Sequence, residues 1–99
     1  AHITGGGLAD NVVRVLPSGV NAVLHKGAWQ RPALFNWLQS QGHIPEEDLL
    51  RTFNCGIGMT VILRRDDAGM ARELLEQAGE TVTVLGEITA GTGQVELRG

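Results

Sequence analysis

Three consecutive glycines, Gly5-Gly6-Gly7, stand between the strand-like Ala1-His2-Ile3-Thr4 and the helix-like Leu8-Ala9-Asp10-Asn11-Val12-Val13-Arg14. Without a Cβ, such a turn adopts positive φ and lets another group approach its backbone. The helix that follows points unpaired N–H groups and its positive dipole end at the turn. The combination suits an anion, most naturally a phosphate. The rest of the chain is then expected to be a scaffold for this corner.

Ninety-nine residues predict one small domain. Hydrophobic content of 42% against 19% charged residues suits a folded globular chain. Only Trp29, Phe35, Trp37 and Phe53 are aromatic, so the core must be mostly aliphatic. A net charge of -3 gives no general attraction to nucleic acid or to an anionic membrane, and an anion site must therefore be local. No apolar run is long enough to cross a bilayer and no signal-peptide pattern opens the chain. The single Cys55 has no partner for an internal disulfide, which fits a reducing compartment. The chain opens without Met directly on the glycine motif, so a piece of a longer protein is expected.

Leu8, Val12, Val15 and Leu16 share one helical face, and Pro17 ends that helix. Val20, Ala22 and Leu24 predict a short half-buried strand. Pro32 opens a helix with Leu34, Phe35 and Leu38 on its apolar face and Gly42 as its stop. Pro45 opens another, with Glu46, Glu47 and Asp48 in the first turn and Leu49, Leu50 and Phe53 buried. Met59-Thr60-Val61-Ile62-Leu63 is apolar on both faces and predicts a central strand. Asp66 or Asp67 caps a helix striped by Ala68, Ala71, Leu74, Leu75 and Ala78 and closed by Gly79. Val82, Val84 and Ile88 predict a one-sided strand, Gly91-Thr92-Gly93 a hairpin turn, and Val95 and Leu97 a final edge strand. This irregular order predicts α+β with a mixed sheet.

The glycine turn is not a Walker A loop, because Gly7-Leu8-Ala9 replaces Gly-Lys-Ser/Thr, and it lacks the G-x-G-x-x-G dinucleotide pattern. Asn11 and Arg14 lie three residues apart beside it, although Arg14 is equally readable as an exposed or structurally paired charge. His2 is placed to donate to a phosphate or to exchange protons, against the plainer reading of a structural histidine. His25 and His43 have no ligand-spaced partners, so no zinc site is expected. Cys55 lacks a neighbouring base and reads as a buried small hydrophobe. The first turn of a helix accounts for Glu46-Glu47-Asp48, and packing accounts for Trp29 and Trp37.

Three stretches taken together resemble a known family. His2-Ile3-Thr4-Gly5-Gly6-Gly7-Leu8, with Asn11 and Arg14-Val15-Leu16-Pro17, is similar to the glycine motif in the C-terminal domain of phosphoribosylformylglycinamidine cyclo-ligases, or aminoimidazole ribonucleotide synthetases. Trp29, Pro32, Phe35-Asn36-Trp37-Leu38-Gln39 and Gly42 resemble its middle segment. Arg51-Thr52-Phe53-Asn54-Cys55-Gly56-Ile57-Gly58-Met59 resembles its second hallmark. Order and spacing agree from Ala1 to about Ile88, whereas the tail after Gly91 is not diagnostic.

The resemblance implies a truncated three-layer α/β/α unit with a mixed sheet. It implies a cytoplasmic homodimeric ligase of purine biosynthesis, in which ATP activates the amide oxygen of formylglycinamidine ribonucleotide and an internal nitrogen closes the imidazole ring. ATP and Mg²⁺ would be held mainly by an N-terminal domain absent from this chain, so the 99 residues alone are expected to be inactive and to bind no cofactor of their own. The same carry-over marks His2 as the catalytic candidate. It marks Thr4, Gly5, Gly6, Gly7, Asn11, Asn54 and Gly56 as substrate- or phosphate-binding, with no metal ligand among them. The alternatives are another synthetase of the superfamily, such as formylglycinamide ribonucleotide amidotransferase or selenophosphate synthetase, and a non-catalytic assembly domain. Strand edges left open by truncation would favour pairing with another chain.

Overall fold

The computed structural model describes all of residues 1–99. Its sheet is built on β1, Val20–His25, which is flanked on both sides and buries Ala22, Val23 and Leu24. β2, Gly86–Ala90, runs antiparallel to it, with Val20 opposite Ala90 and Leu24 opposite Gly86. β3, Val95–Arg98, runs parallel to it, with Ala22 opposite Val95 and His25 opposite Arg98. The order β2-β1-β3 makes a mixed sheet, and the α+β class follows. The strand expected to be half-buried is thus the central one, and its consecutive buried residues Ala22, Val23 and Leu24 show that both of its faces are covered there.

Gly91-Thr92-Gly93 does not close a hairpin. The connection crosses the start of β1 and delivers β3 to its far side. Asn21 holds the crossing, its Oδ1 accepting the N–H groups of Thr92 and Gln94 at 2.9 Å each. A Cβ on Gly91 would fall 2.1 Å from Asn21 Cγ, so the crossing needs a glycine there.

Four α-helices join the sheet: α1, Gly7–Val13; α2, Ala33–Gly42; α3, Glu46–Thr52; and α4, Arg65–Gln77. A 3₁₀ turn covers Lys26–Ala28. α1 stops at Val13, short of the expected Leu16, and leaves Val15 half exposed. α2 ends at Gly42 itself, with His43 taking the left-handed cap at φ 50°. α3 matches expectation, with acidic residues in its first turn and Leu49 and Leu50 buried. The N-cap of α4 is Arg64 rather than Asp66 or Asp67.

Two apolar clusters form the core. Ile3, Leu8, Val12, Ala22 and Leu24 tie the glycine corner and α1 to the sheet. Leu49, Leu50 and Cys55 form the second, with Trp29, Ile44, Phe53 and Leu97 packed around them. Full burial of each valine, leucine or isoleucine among them contributes about 1.5–3 kcal/mol.

The largest departure lies between residues 59 and 85. Of the expected central strand only Met59 and Thr60 pair, Met59 in an isolated antiparallel bridge to His2 and Thr60 through backbone hydrogen bonds with Ala1. Val61, Ile62 and Leu63 are 58%, 44% and 45% exposed. The strand expected from Val82 begins only at Gly86, and α4 buries none of its apolar stripe. Apart from Leu85, which packs on the first cluster, apolar patterning survives here without a surface to pack on.

Candidate functional site

The glycine turn is shaped by one buried amide. Asn11 lies on the inner face of α1, only 5% exposed. Its Nδ2 donates to the carbonyls of Thr4 at 3.3 Å, Gly5 at 3.3 Å and Gly7 at 2.8 Å. Its Oδ1 accepts from the Thr4 hydroxyl at 3.4 Å and from the Arg14 guanidinium at 3.0 Å. With the carbonyls drawn inward, the N–H groups of Gly5 and Gly6 are left without a partner in the chain. Asn11, counted from sequence among the phosphate contacts, is fully engaged with the loop and is instead its organiser. Arg14 is a structural partner in the same network.

The three glycines have different reasons to be glycine. Gly6 and Gly7 both have positive φ, 98° and 71°. A Cβ on Gly7 would fall 1.7 Å from the Leu50 carbonyl oxygen, so this glycine lets the start of α1 close onto the end of α3. A Cβ on Gly6 would meet Asp10, whose Oδ2 lies 3.1 Å from that point. Gly5 has ordinary φ and open space beside it. A carboxylate beside Gly6 weakens an anion's hold on the turn, and the more open side of the turn is at Gly5.

The second motif joins the first through the backbone. Ala1 and Thr60 exchange two hydrogen bonds, each 2.8 Å, and the Ile3 N–H donates to the Gly58 carbonyl at 2.9 Å. His2, facing Met59 across this bridge, is exposed and its ring makes no hydrogen bond within the chain. Asn54 is turned onto its own loop, its Oδ1 accepting the Gly56 N–H at 2.8 Å. Gly56, at φ 103°, seats Pro32, whose Cδ would lie 2.5 Å from a Cβ. The family resemblance marks Asn54 and Gly56 as site residues, and in the structure both shape their own loop.

Cys55 is a core residue. It is 1% exposed, its Sγ contacts the Leu49 carbonyl at 3.8 Å, and burial pushes its thiol above the ordinary range. Trp29 supports the same loop by donating Nε1–H to the Cys55 carbonyl at 2.9 Å. Trp37, by contrast, stays 58% exposed.

Charged residues not singled out from the sequence surround the corner. A hollow of about 340 Å³ is lined by Gly6, Ala9, Asp10, Lys26, Glu47, Leu50, Arg51 and Leu97. Arg51 stands at the head of the second motif, a position that was the available signal. Lys26 gave none. A neighbouring hollow of about 430 Å³ is lined by Lys26, Gly27, Arg31, Glu46 and Gly99. There Arg31 is bonded to Glu46, which holds the guanidinium above and the carboxyl below their usual ranges. No three His, Cys, Asp or Glu side chains gather in a way that would hold a metal ion. No helix is long and apolar enough to cross a membrane.

Comparison with known proteins bears on this corner directly. The family model of AIR synthase related protein, C-terminal domain, matches residues 1–98. The chain belongs to that family. It is 50% identical over 97 residues to a phosphoribosylformylglycinamidine cyclo-ligase of Methylobacillus flagellatus, covering 97% of this chain and 28% of that protein. It is 56% identical over 88 residues to proteins of the same name from Cupriavidus taiwanensis and Cupriavidus pinatubonensis, covering 89% of this chain and 25% of each relative. The chain therefore spans about a quarter of the length of the curated relatives it matches. The resemblance built on the glycine turn and the Arg51–Met59 motif is borne out at the level of the family.

Proposed function

We propose that this unit serves a purine-biosynthesis ligase, closing formylglycinamidine ribonucleotide to aminoimidazole ribonucleotide at the expense of ATP. Within it, the glycine turn is one wall of the cleft that receives the phosphoribosyl phosphate. The observation that carries this reading is the pair of unpartnered N–H groups at Gly5 and Gly6, in a turn whose carbonyls are held by Asn11. Backbone N–H groups aimed at one point bind phosphate oxygens without a charged side chain.

Each candidate takes a distinct part in this proposal. Gly5 and Gly6 donate to the phosphate, and the exposed Thr4 stands beside them. Gly7 and Asn11 fix the turn, while Asn54 and Gly56 support the adjoining wall. His2, exposed at the end of the bridge to Met59, orients a polar group of the substrate or relays a proton near neutral pH. The residues present offer no ligand set for Mg²⁺ and no Walker-type lysine, so ATP and metal binding are assigned to an N-terminal domain outside this chain. The full-length protein is proposed to act as a cytoplasmic homodimer.

Titration of the chain with a phosphoribosyl monophosphate, followed by amide NMR, tests the reading. Shifts centred on Gly5 and Gly6 and confined to Thr4–Arg14 are expected; no response at millimolar ligand would overturn it. A turnover assay should find the ligase activity in the full-length protein and none in the 99 residues alone.

A further inference from the structure

We infer that Val61–Leu63 is the docking edge for the polypeptide that precedes Ala1 in the full-length protein, which pairs there as an antiparallel strand. The ladder between residues 1–3 and 58–60 has a definite register. Ala1 and Thr60 exchange both backbone hydrogen bonds, His2 faces Met59 in an antiparallel bridge, and the Ile3 N–H donates to the Gly58 carbonyl. Bonded and non-bonded pairs alternate along an antiparallel ladder, so Ala1–Thr60 is a bonded pair and His2–Met59 a non-bonded one.

Beyond Thr60 the backbone of Val61, Ile62 and Leu63 makes no hydrogen bond, and their three large apolar side chains are exposed. An unpaired backbone beside consecutive apolar side chains is an edge that a protein must cover. The chain covers 25–28% of its relatives and matches a domain described as C-terminal, so polypeptide precedes this unit in those proteins. Continuing the register sets the residue immediately before Ala1 opposite Val61, the second opposite Ile62 and the third opposite Leu63. By the alternation, the second upstream residue exchanges both backbone bonds with Ile62. Paired residues share a sheet face, so Ile62 falls on the side of the buried Ile3, and Val61 and Leu63 on the side of His2. A second copy of the chain is the rival occupant. The tethered segment prevails because its ladder is already started and its effective concentration is high. The new strand runs directly into His2 and the glycine turn, completing a strand–turn–helix unit around them.

Hydrogen exchange on the unmodified full-length protein decides the matter. The Ile62 amide is expected to exchange on the order of 100-fold or more slowly than an unstructured amide, without dependence on protein concentration. Exchange at the unstructured rate, or protection that dilution removes, would overturn the inference, the second in favour of a second copy. A register test uses Val61→Cys together with cysteine in place of the residue immediately before Ala1. Non-bonded antiparallel partners lie about 4.5 Å apart at Cα, within disulfide range. Oxidation should close an intramolecular bridge, and shifting the upstream cysteine by one residue should prevent it. Cross-linked dimers, or equal bridging from both positions, would count against the pairing.

Discussion

The glycine corner and the stretch from Met59 to Leu85 have comparable apolar content and opposite fates. In the corner, each apolar side chain meets a partner that the chain itself provides: Ile3, Leu8 and Val12 lie against Ala22 and Leu24. In the later stretch, Val61, Met70, Leu74 and Val84 are each more than half exposed, and α4 has no buried residue. Periodicity selects a helix or a strand, whereas burial needs a second surface. The corner is self-sufficient, and the later stretch presents an unmet face.

The sharpest way to break the corner is Gly7→Ala. The new Cβ would coincide with the Leu50 carbonyl, and φ 71° disfavours any L side chain, so α1 and α3 must separate. A loss of roughly 3–5 kcal/mol is expected, read as a lowered urea midpoint. Leu49→Ala, at a fully buried position, should cost about 3 kcal/mol by the same measurement. Asn11→Ala releases three carbonyls and the Arg14 guanidinium, for about 2 kcal/mol. It should also abolish the phosphoribosyl shifts at Gly5 and Gly6, because the turn loses its organiser.

Smaller effects sharpen the contrast. Asp10→Asn removes the carboxylate beside Gly6 and should tighten phosphate binding by about three- to tenfold, measured by calorimetric titration. The half-exposed Glu46 carboxyl is held below its ordinary 4.5 by the Arg31 hydrogen bond. Its contribution is therefore present above the unfolded value and is lost as pH falls through the lower native one. Comparison with Glu46→Gln should show less than about 1 kcal/mol at pH 7, vanishing in acid. Leu74→Ala on α4 should change the stability of this chain by less than about 0.5 kcal/mol. A larger loss would show that α4 is not an unmet face.

Residues with local causes were legible in advance. Pro45 and the acidic first turn announced α3, and Cys55 without a neighbouring base announced a core thiol. The glycine pattern and the Arg51–Met59 motif announced the family. Three features had no local signature. The route of the 91–94 connection depends on which side of β1 is free, which only the assembled sheet decides. The inward role of Asn11 depends on carbonyl positions four to seven residues back in the chain. The exposure of Val61–Leu63 depends on what lies opposite them, and a two-faced apolar run carries no record of that.

The Asn21 clasp has a consequence for the order of events during synthesis. Asn21 and Gln94 meet across 73 positions, and both flanking strands of β1 come from the last fourteen residues or so of the chain. Because translation proceeds from the N-terminus, β1, on which the glycine corner packs, must wait without its flanking strands until nearly all of this unit has left the ribosome. The corner that carries the proposed chemistry is therefore made first and locked last.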